Sequence, residues 1–187
     1  MATIAFDGGT LLLANDLLHG GDNPIEPPTP VAPQPCLDHV GASIRRTLAA
    51  TDDEAALLLI ELDDVHFDAS EQLATITQQV ADIARASIRK SDLLETLDEC
   101  TFAIGLPESG RIGMTRVADA IRQRVAAAAI DTIDGTCRVT ITIGAVHTTV
   151  AKLVELDDLL LVARANLDSA RAAGKNRTNW SDWATTP

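Results

Sequence analysis

Apolar and polar positions change their period several times along this chain, and each change marks an element. From Ala56 to Leu62, "ALLLIEL" is a continuous apolar run of strand length, as a central strand covered on both faces requires. Leu73, Ile76, Val80, Ile83, Ala84 and Ile88 then recur at helical spacing and predict an amphipathic helix. Two short runs follow, Leu93 to Leu97 and Thr101 to Leu106. They predict a hairpin with Asp98, Glu99 and Cys100 at its tip. Met114, Val117, Ala118, Ile121 and Val125 share one face of a second helix. In "VTITIGAV", Val139, Ile141 and Ile143 alternate with Thr140 and Thr142, the period of a strand. A last helix gathers Leu156, Leu159, Leu160, Ala163, Leu167 and Ala170 and stops at Gly174. The order β-α-β-β-α-β-α is the split βαβ layout of an α+β domain. It predicts a mostly antiparallel central sheet flanked by helices, with the helices gathered on one face.

Composition changes this picture at the N-terminus. Six of the eight prolines fall between Pro24 and Pro35, in "NPIEPPTPVAPQP", which favours an extended polyproline-like path over a packed core. Residues 23–35 therefore read as a linker and 1–22 as an appendage too short to fold alone. The main domain is expected over 36–183, within a chain of 187 residues that can bury one core. The first 22 residues hold no Lys or Arg, and Leu11 to Leu13 is too short an apolar run for a signal core or a span. A cytosolic protein is expected.

Charge narrows the partners. Asp and Glu number 27 against 15 Lys and Arg, a formal charge of -12, which disfavours nucleic acid and anionic membrane alike. Cys36, Cys100 and Cys137 are isolated from one another, and His39, His66 and His147 share no metal-ligand spacing. No disulfide framework, zinc site or cofactor is expected, and the histidines are given no role.

Four stretches, in order, resemble the GGDEF domain of diguanylate cyclases, a relative of the class III nucleotidyl cyclases. "LLLIELDD", Leu57 to Asp64, is similar to the family's first strand, which ends on a metal-binding aspartate. "RKSDLLETLDECTFAIGLP" aligns without a gap, from Arg89 to Pro107, with the family's "RxxDLVARLGGDEFAVLLP". "VTITIGAV" resembles "VTVSIGVA", and "ARANLDSARAAGKNR" resembles "ADxALYxAKxxGRNR". The resemblance spans about Ala55 to Arg177 and implies a cyclase-like palm fold and a place in cyclic di-GMP signalling.

The departures fall where the family's chemistry sits. The signature hairpin places two glycines against the GTP triphosphate, then an acidic residue on the metal ions; here the five signature positions read Asp98, Glu99, Cys100, Thr101 and Phe102. Two carboxylates repel phosphate where backbone N–H groups approach it in the family, and a thiol is a soft substitute for a hard oxygen on Mg²⁺. Glu61 alone holds a vestigial metal position. Ala69 stands where the family reads guanine with asparagine, and the "DxLTGLxNR" opening is not recognisable between Pro35 and Leu48. No catalytic residue and no metal site are assigned, and the domain is expected not to be an enzyme.

Each remaining candidate has a structural reading beside its functional one. Glu61, Asp63 and Asp64 form either a solvated strand end or a metal remnant. Cys100 is either a small hairpin residue or a thiol, its reactivity opposed by acidic neighbours. Arg171 and Lys175, at the family's phosphate-binding positions, equally complement a helix C-terminus, as does Arg177. "RKSD" carries Arg89 and Asp92 at the spacing of the family's RxxD site, which implies cyclic di-GMP binding; the same pair also suits a helix end and a turn. The resemblance leaves two non-enzymatic classes open, a cyclic di-GMP receptor or an interaction and dimerisation module that binds no nucleotide, with a residual diguanylate cyclase ranked third. A protein partner, an adjoining EAL-type domain or a homodimer is implied in either case.

Overall fold

A computed structural model describes residues 38–51, 54–64, 70–149 and 156–183. The expected appendage and linker, and Cys36, His66 and Ala69, lie outside them. The elements run α1 (Asp38–Thr51), β1 (Ala55–Leu62), α2 (Ser70–Arg85), β2 (Leu93–Thr96), β3 (Thr101–Pro107), α3 (Arg111–Ala127), β4 (Ile130–Thr132), β5 (Gly135–Cys137), β6 (Ile141–Thr148), α4 (Leu156–Ala172) and β7 (Thr178–Asp182). Five strands form one sheet in the order β2-β3-β1-β6-β7, and β4 and β5 form a separate hairpin. All pairs in the main sheet are antiparallel except β6 with β7.

The unbroken apolar run of β1 follows from its place at the centre. Alternate residues serve opposite layers, so both sets must be apolar. Leu58 and Ile60 join Phe102, Ile104, Ile141 and Ile143 in a core closed by α2 and α3. Leu57 and Leu59 join Ala103 and Val146 on the other side, closed by Val40 and Ile44 of α1 and by Leu159, Ala163 and Leu167 of α4. The expectation of helices on one face is therefore corrected: two cover each face. The strand's own pattern demanded this, because a sheet bare on one side would alternate apolar with polar residues.

Four elements, α1, β4, β5 and β7, were not expected. α1 is seated by a distant group: Glu95 of β2 accepts hydrogen bonds from the backbone N–H groups of His39 and Val40, each at 3.2 Å. The β4–β5 hairpin is held to α2 by Gln79, whose side-chain amide donates to the Asp131 carbonyl at 2.8 Å and accepts from its N–H at 2.9 Å. β7, "TNWSD", is polar, short and half exposed, so its pattern gives no strand signal. α2 stops at Arg85 instead of running through Ile88. Its end is capped as Ser87 donates to the Ile83 carbonyl at 2.7 Å, while Arg124 reaches the Ala86 carbonyl at 3.2 Å.

Candidate functional site

Three segments meet at one end of the sheet: the end of β1, the β2–β3 hairpin and the loop after α4. Register puts them there, because Glu61 lies opposite Thr101 on β3 and Thr142 on β6. One step on, the Leu62 N–H donates to the Cys100 carbonyl at 3.0 Å and the Asp63 N–H to that of Thr140 at 2.9 Å.

The hairpin tip is a tight turn built by its own carboxylate. Asp98 accepts from the Cys100 N–H at 2.9 Å, and the Leu97 N–H donates to the Thr101 carbonyl at 2.8 Å. Thr77 of α2 donates to the Glu99 carbonyl at 2.5 Å and anchors the tip from below. Thr101 and Phe102 are buried, Phe102 as one of the largest core side chains. Cys100 packs against the same core. Burial pushes its thiol pKa up, and the charges of Asp98, Glu61 and Glu99 push it further, so the thiolate is disfavoured.

The acids at the end of β1 separate into different roles. Asp63, read from sequence as part of a solvated strand end, is 7% exposed. It accepts from Thr142 at 2.6 Å, from Thr140 at 2.7 Å and from the Asn176 N–H at 3.0 Å, and so ties β1, β6 and the post-α4 loop together. The two threonines that fit the strand period were also the sequence signal for this site, since hydroxyls two apart on a strand share a face. Glu61 pairs with Arg171 at 3.3 Å, and Arg171 also holds Asp168 at 3.3 Å. Lys175 pairs with Asp64. Gly174, Lys175 and Asn176 adopt positive φ in succession, at 113°, 59° and 43°, which turns the loop back over the strand end.

Both basic residues at the family's phosphate-binding positions are thus joined to carboxylates in β1 or just beyond its end. A cleft of about 430 Å³ beneath the hairpin is lined by Ala74, Thr77, Gln78, Ala81, Thr96, Asp98 and Glu99, with no cation among them. Among the described residues, the positions at which the resemblance implies Mg²⁺ offer no suitable donor set. Glu61 is ion-paired, Asp63 is saturated by hydrogen bonds and Cys100 offers a disfavoured thiolate. Among the described residues no three His, Cys, Asp or Glu side chains are placed to hold a metal.

Arg89 and Asp92 lie at the opposite end of β2, in the turn that follows α2. Asp92 is buried, with one carboxylate oxygen accepting from the Arg89 N–H at 2.7 Å and the other from the Ser91 hydroxyl at 3.4 Å. The Asp92 N–H closes the turn onto the Arg89 carbonyl at 3.1 Å. The Arg89 and Lys90 side chains are exposed, and no carboxylate among the described residues pairs with Arg89. The motif is therefore split: its acid shapes the turn, and its guanidinium faces outward. Among the described residues no helix is long and apolar enough to cross a membrane.

Comparison with known proteins agrees with this layout. The chain is similar to the active GGEEF domain of a diguanylate cyclase from Vibrio cholerae, at 16% identity and a TM-score of 0.61, over 78% of this chain and 96% of that one. It is similar to the GGDEF domain of YfiN (TpbB) from Pseudomonas aeruginosa, at 21% identity and a TM-score of 0.63, over 77% and 94% of the two chains. A third likeness is to the GGDEF domain of DgcB from Caulobacter crescentus, solved in complex with c-di-GMP, at 13% identity and a TM-score of 0.61, over 74% and 86%. A search of curated proteins finds no match. The sequence model of the diguanylate cyclase GGDEF domain matches residues 71–177, more than half of the chain. Those residues carry the hairpin, the RxxD turn and the loop closed over β1, and the chain belongs to the GGDEF domain family.

Proposed function

We propose that this GGDEF domain does not make cyclic di-GMP and works in the cytosol as a regulatory module of cyclic di-GMP signalling, binding that ligand through Arg89. The observation that carries the first half is the pairing of Arg171 with Glu61 and of Lys175 with Asp64. A triphosphate needs those cations and its metal ions need those acids, so the groups that would hold substrate neutralise one another. The acidic tip, Asp98 and Glu99, adds repulsion. GTP with Mg²⁺ or Mn²⁺ should give no product above a blank. Product that disappears in Glu61→Ala would overturn this half.

The second half is supported by the exposed guanidinium of Arg89, which no carboxylate among the described residues pairs, a planar donor fork suited to phosphate or to the acceptor edge of guanine. Asp92 positions that fork by shaping the turn. The output then passes to a protein partner, an adjoining EAL-type domain or a second copy of the chain. Calorimetry with cyclic di-GMP tests the assignment: Arg89→Ala should weaken binding about ten- to hundred-fold, while Cys100→Ala leaves it unchanged. The engagement of both Asp92 oxygens within the turn favours the other reading, a module that binds no nucleotide. No heat at high protein concentration, or equal affinity in Arg89→Ala, would establish that alternative.

A further inference from the structure

β7 is the last strand of the main sheet, and among the described residues no strand pairs with its outer side. Because β6 and β7 run parallel, only every second residue of β7 turns its backbone toward β6. The Arg177 carbonyl accepts from the Ile143 N–H at 2.9 Å, and the Trp183 N–H donates to the His147 carbonyl at 2.8 Å. That phase commits residues 177, 179, 181 and 183 to the sheet. The N–H and C=O groups of Thr178, Trp180 and Asp182 therefore point outward, where no hydrogen bond from the described residues reaches them. The side chains of β7 are unequally engaged. Asn179 donates to Ser169 of α4 at 3.0 Å, and Ser181 accepts from Asn166 of α4 at 2.9 Å. On the other face, Asp182 is held by Arg111 of α3 at 2.7 Å and lies 3.0 Å from Nδ1 of His147. Trp180, at the centre of the strand, is 41% exposed. Edge strands are ordinarily protected by a charge or a proline; β7 carries an aromatic ring at its midpoint instead.

We propose that β7 is the docking edge for a second copy of this chain, the two β7 strands pairing antiparallel about a two-fold axis at Trp180. The strand is complementary to itself in that register. Thr178 of one copy stands opposite Asp182 of the other, Asn179 opposite Ser181, and Trp180 opposite Trp180. The three outward-facing residues become the hydrogen-bonded pairs of the new ladder, and two bonds per pair give about six N–H···O bonds. No like charges meet across the axis, since each Asp182 faces a threonine hydroxyl. The two Trp180 rings face each other and bury apolar surface that a monomer leaves in water. A shift of two residues would lose one of the three pairs and separate the rings, so strand length and side chains select the same register. The two-fold pairing occupies both edges and closes, so it stops at two copies. Five residues per copy bury less than the about 800 Å² per partner of a standard interface, which makes the dimer weak, with a Kd on the order of 0.1 mM.

Sedimentation of the full chain tests the pairing, without nucleotide and with about 0.3 M salt to screen the formal charge of -12. The mass should move from monomer toward dimer between about 10 µM and about 1 mM protein. Over the same range, amide exchange read by NMR should slow about fivefold at Thr178, Trp180 and Asp182, whereas residues 179, 181 and 183 stay protected at every concentration. That alternation belongs to edge pairing and to no other dimer. Trp180→Lys sets two ammonium groups face to face and should weaken dimerisation more than about tenfold with an unchanged thermal transition. Trp180→Pro removes an outward N–H that β6 does not use and should act likewise; if it does not fold, Trp180→Lys decides. Arg89→Ala should dimerise as the unaltered chain does, which keeps this edge separate from the ligand reading. A monomer at about 1 mM, equal dimerisation in Trp180→Lys, or slowing that does not alternate along β7 would overturn the proposal.

Discussion

Asp63 and Asp64 are adjacent acids with opposite environments. Asp63 receives three hydrogen bonds from neutral donors and is buried, whereas Asp64 is exposed and pairs with Lys175. Removing Asp63 leaves two threonine hydroxyls and an amide without their acceptor. Asp63→Ala should therefore cost about 3 kcal/mol of stability, while Asp64→Ala stays within about 0.5 kcal/mol; urea unfolding checks both. Cys100 offers a second residue-level test. Its raised pKa, from burial and then from Asp98, Glu61 and Glu99, should make alkylation at neutral pH several-fold slower than that of a free thiol, as read by mass spectrometry of the labelled hairpin peptide. Asp182 is the reverse case, with a lowered pKa caused first by Arg111. A carboxylate depressed in the folded state contributes stability above its unfolded pKa, and that contribution disappears as pH falls through the lower folded value. Arg111→Ala should therefore flatten the acid limb of the stability profile below about pH 4.

α4 approaches β6 closely, and the approach depends on Gly144. A β-carbon there would overlap the Ala163 carbonyl oxygen and the Leu167 amide nitrogen, backbone atoms that no rotamer change can move. Gly144→Ala should force α4 off the sheet and cost more than about 3 kcal/mol, visible as loss of the cooperative thermal transition. α4 in turn carries Arg171 and leads into the loop of Lys175 and Asn176, so the pairing with Glu61 and Asp64 depends on this contact. α1 depends on β2 instead, since Glu95 receives its first N–H groups. Glu95→Ala should raise hydrogen exchange at the start of α1 while the sheet stays protected.

At the scale of the whole molecule, the hydrophobic layers of the described residues are assembled from Val40 onward. Both hydrophobic layers are closed by helices that begin at Asp38 or later. A chain starting at Pro35 should unfold cooperatively with a midpoint within a few degrees of the full chain. Loss of the transition would show that the N-terminal residues belong to the fold. The formal charge of -12 bears on ligand binding at this scale. Long-range repulsion of a phosphate ligand weakens as salt screens it, whereas the local Arg89 contact is itself weakened, so the salt dependence of affinity measures their balance.

The sequence by itself determined the order of elements around the hairpin, the family and the departures at residues 98–100. These are local patterns: the apolar run of β1, the period of α2 and α3, and the short runs on either side of Asp98. It also predicted the turn at Arg89 and Asp92, whose partners lie within three residues. Tertiary structure decided what depends on residues distant in sequence. Strand register brought Thr140 and Thr142 to Asp63, 77 and 79 positions away, and the loop after α4 brought Lys175 to Asp64, 111 away. The same long-range placement made α1 a capped helix, β7 a parallel edge and His147 a bridge between Glu54 and Asp182. No local period encodes such pairings, because they exist only once the sheet has fixed which strand ends lie side by side.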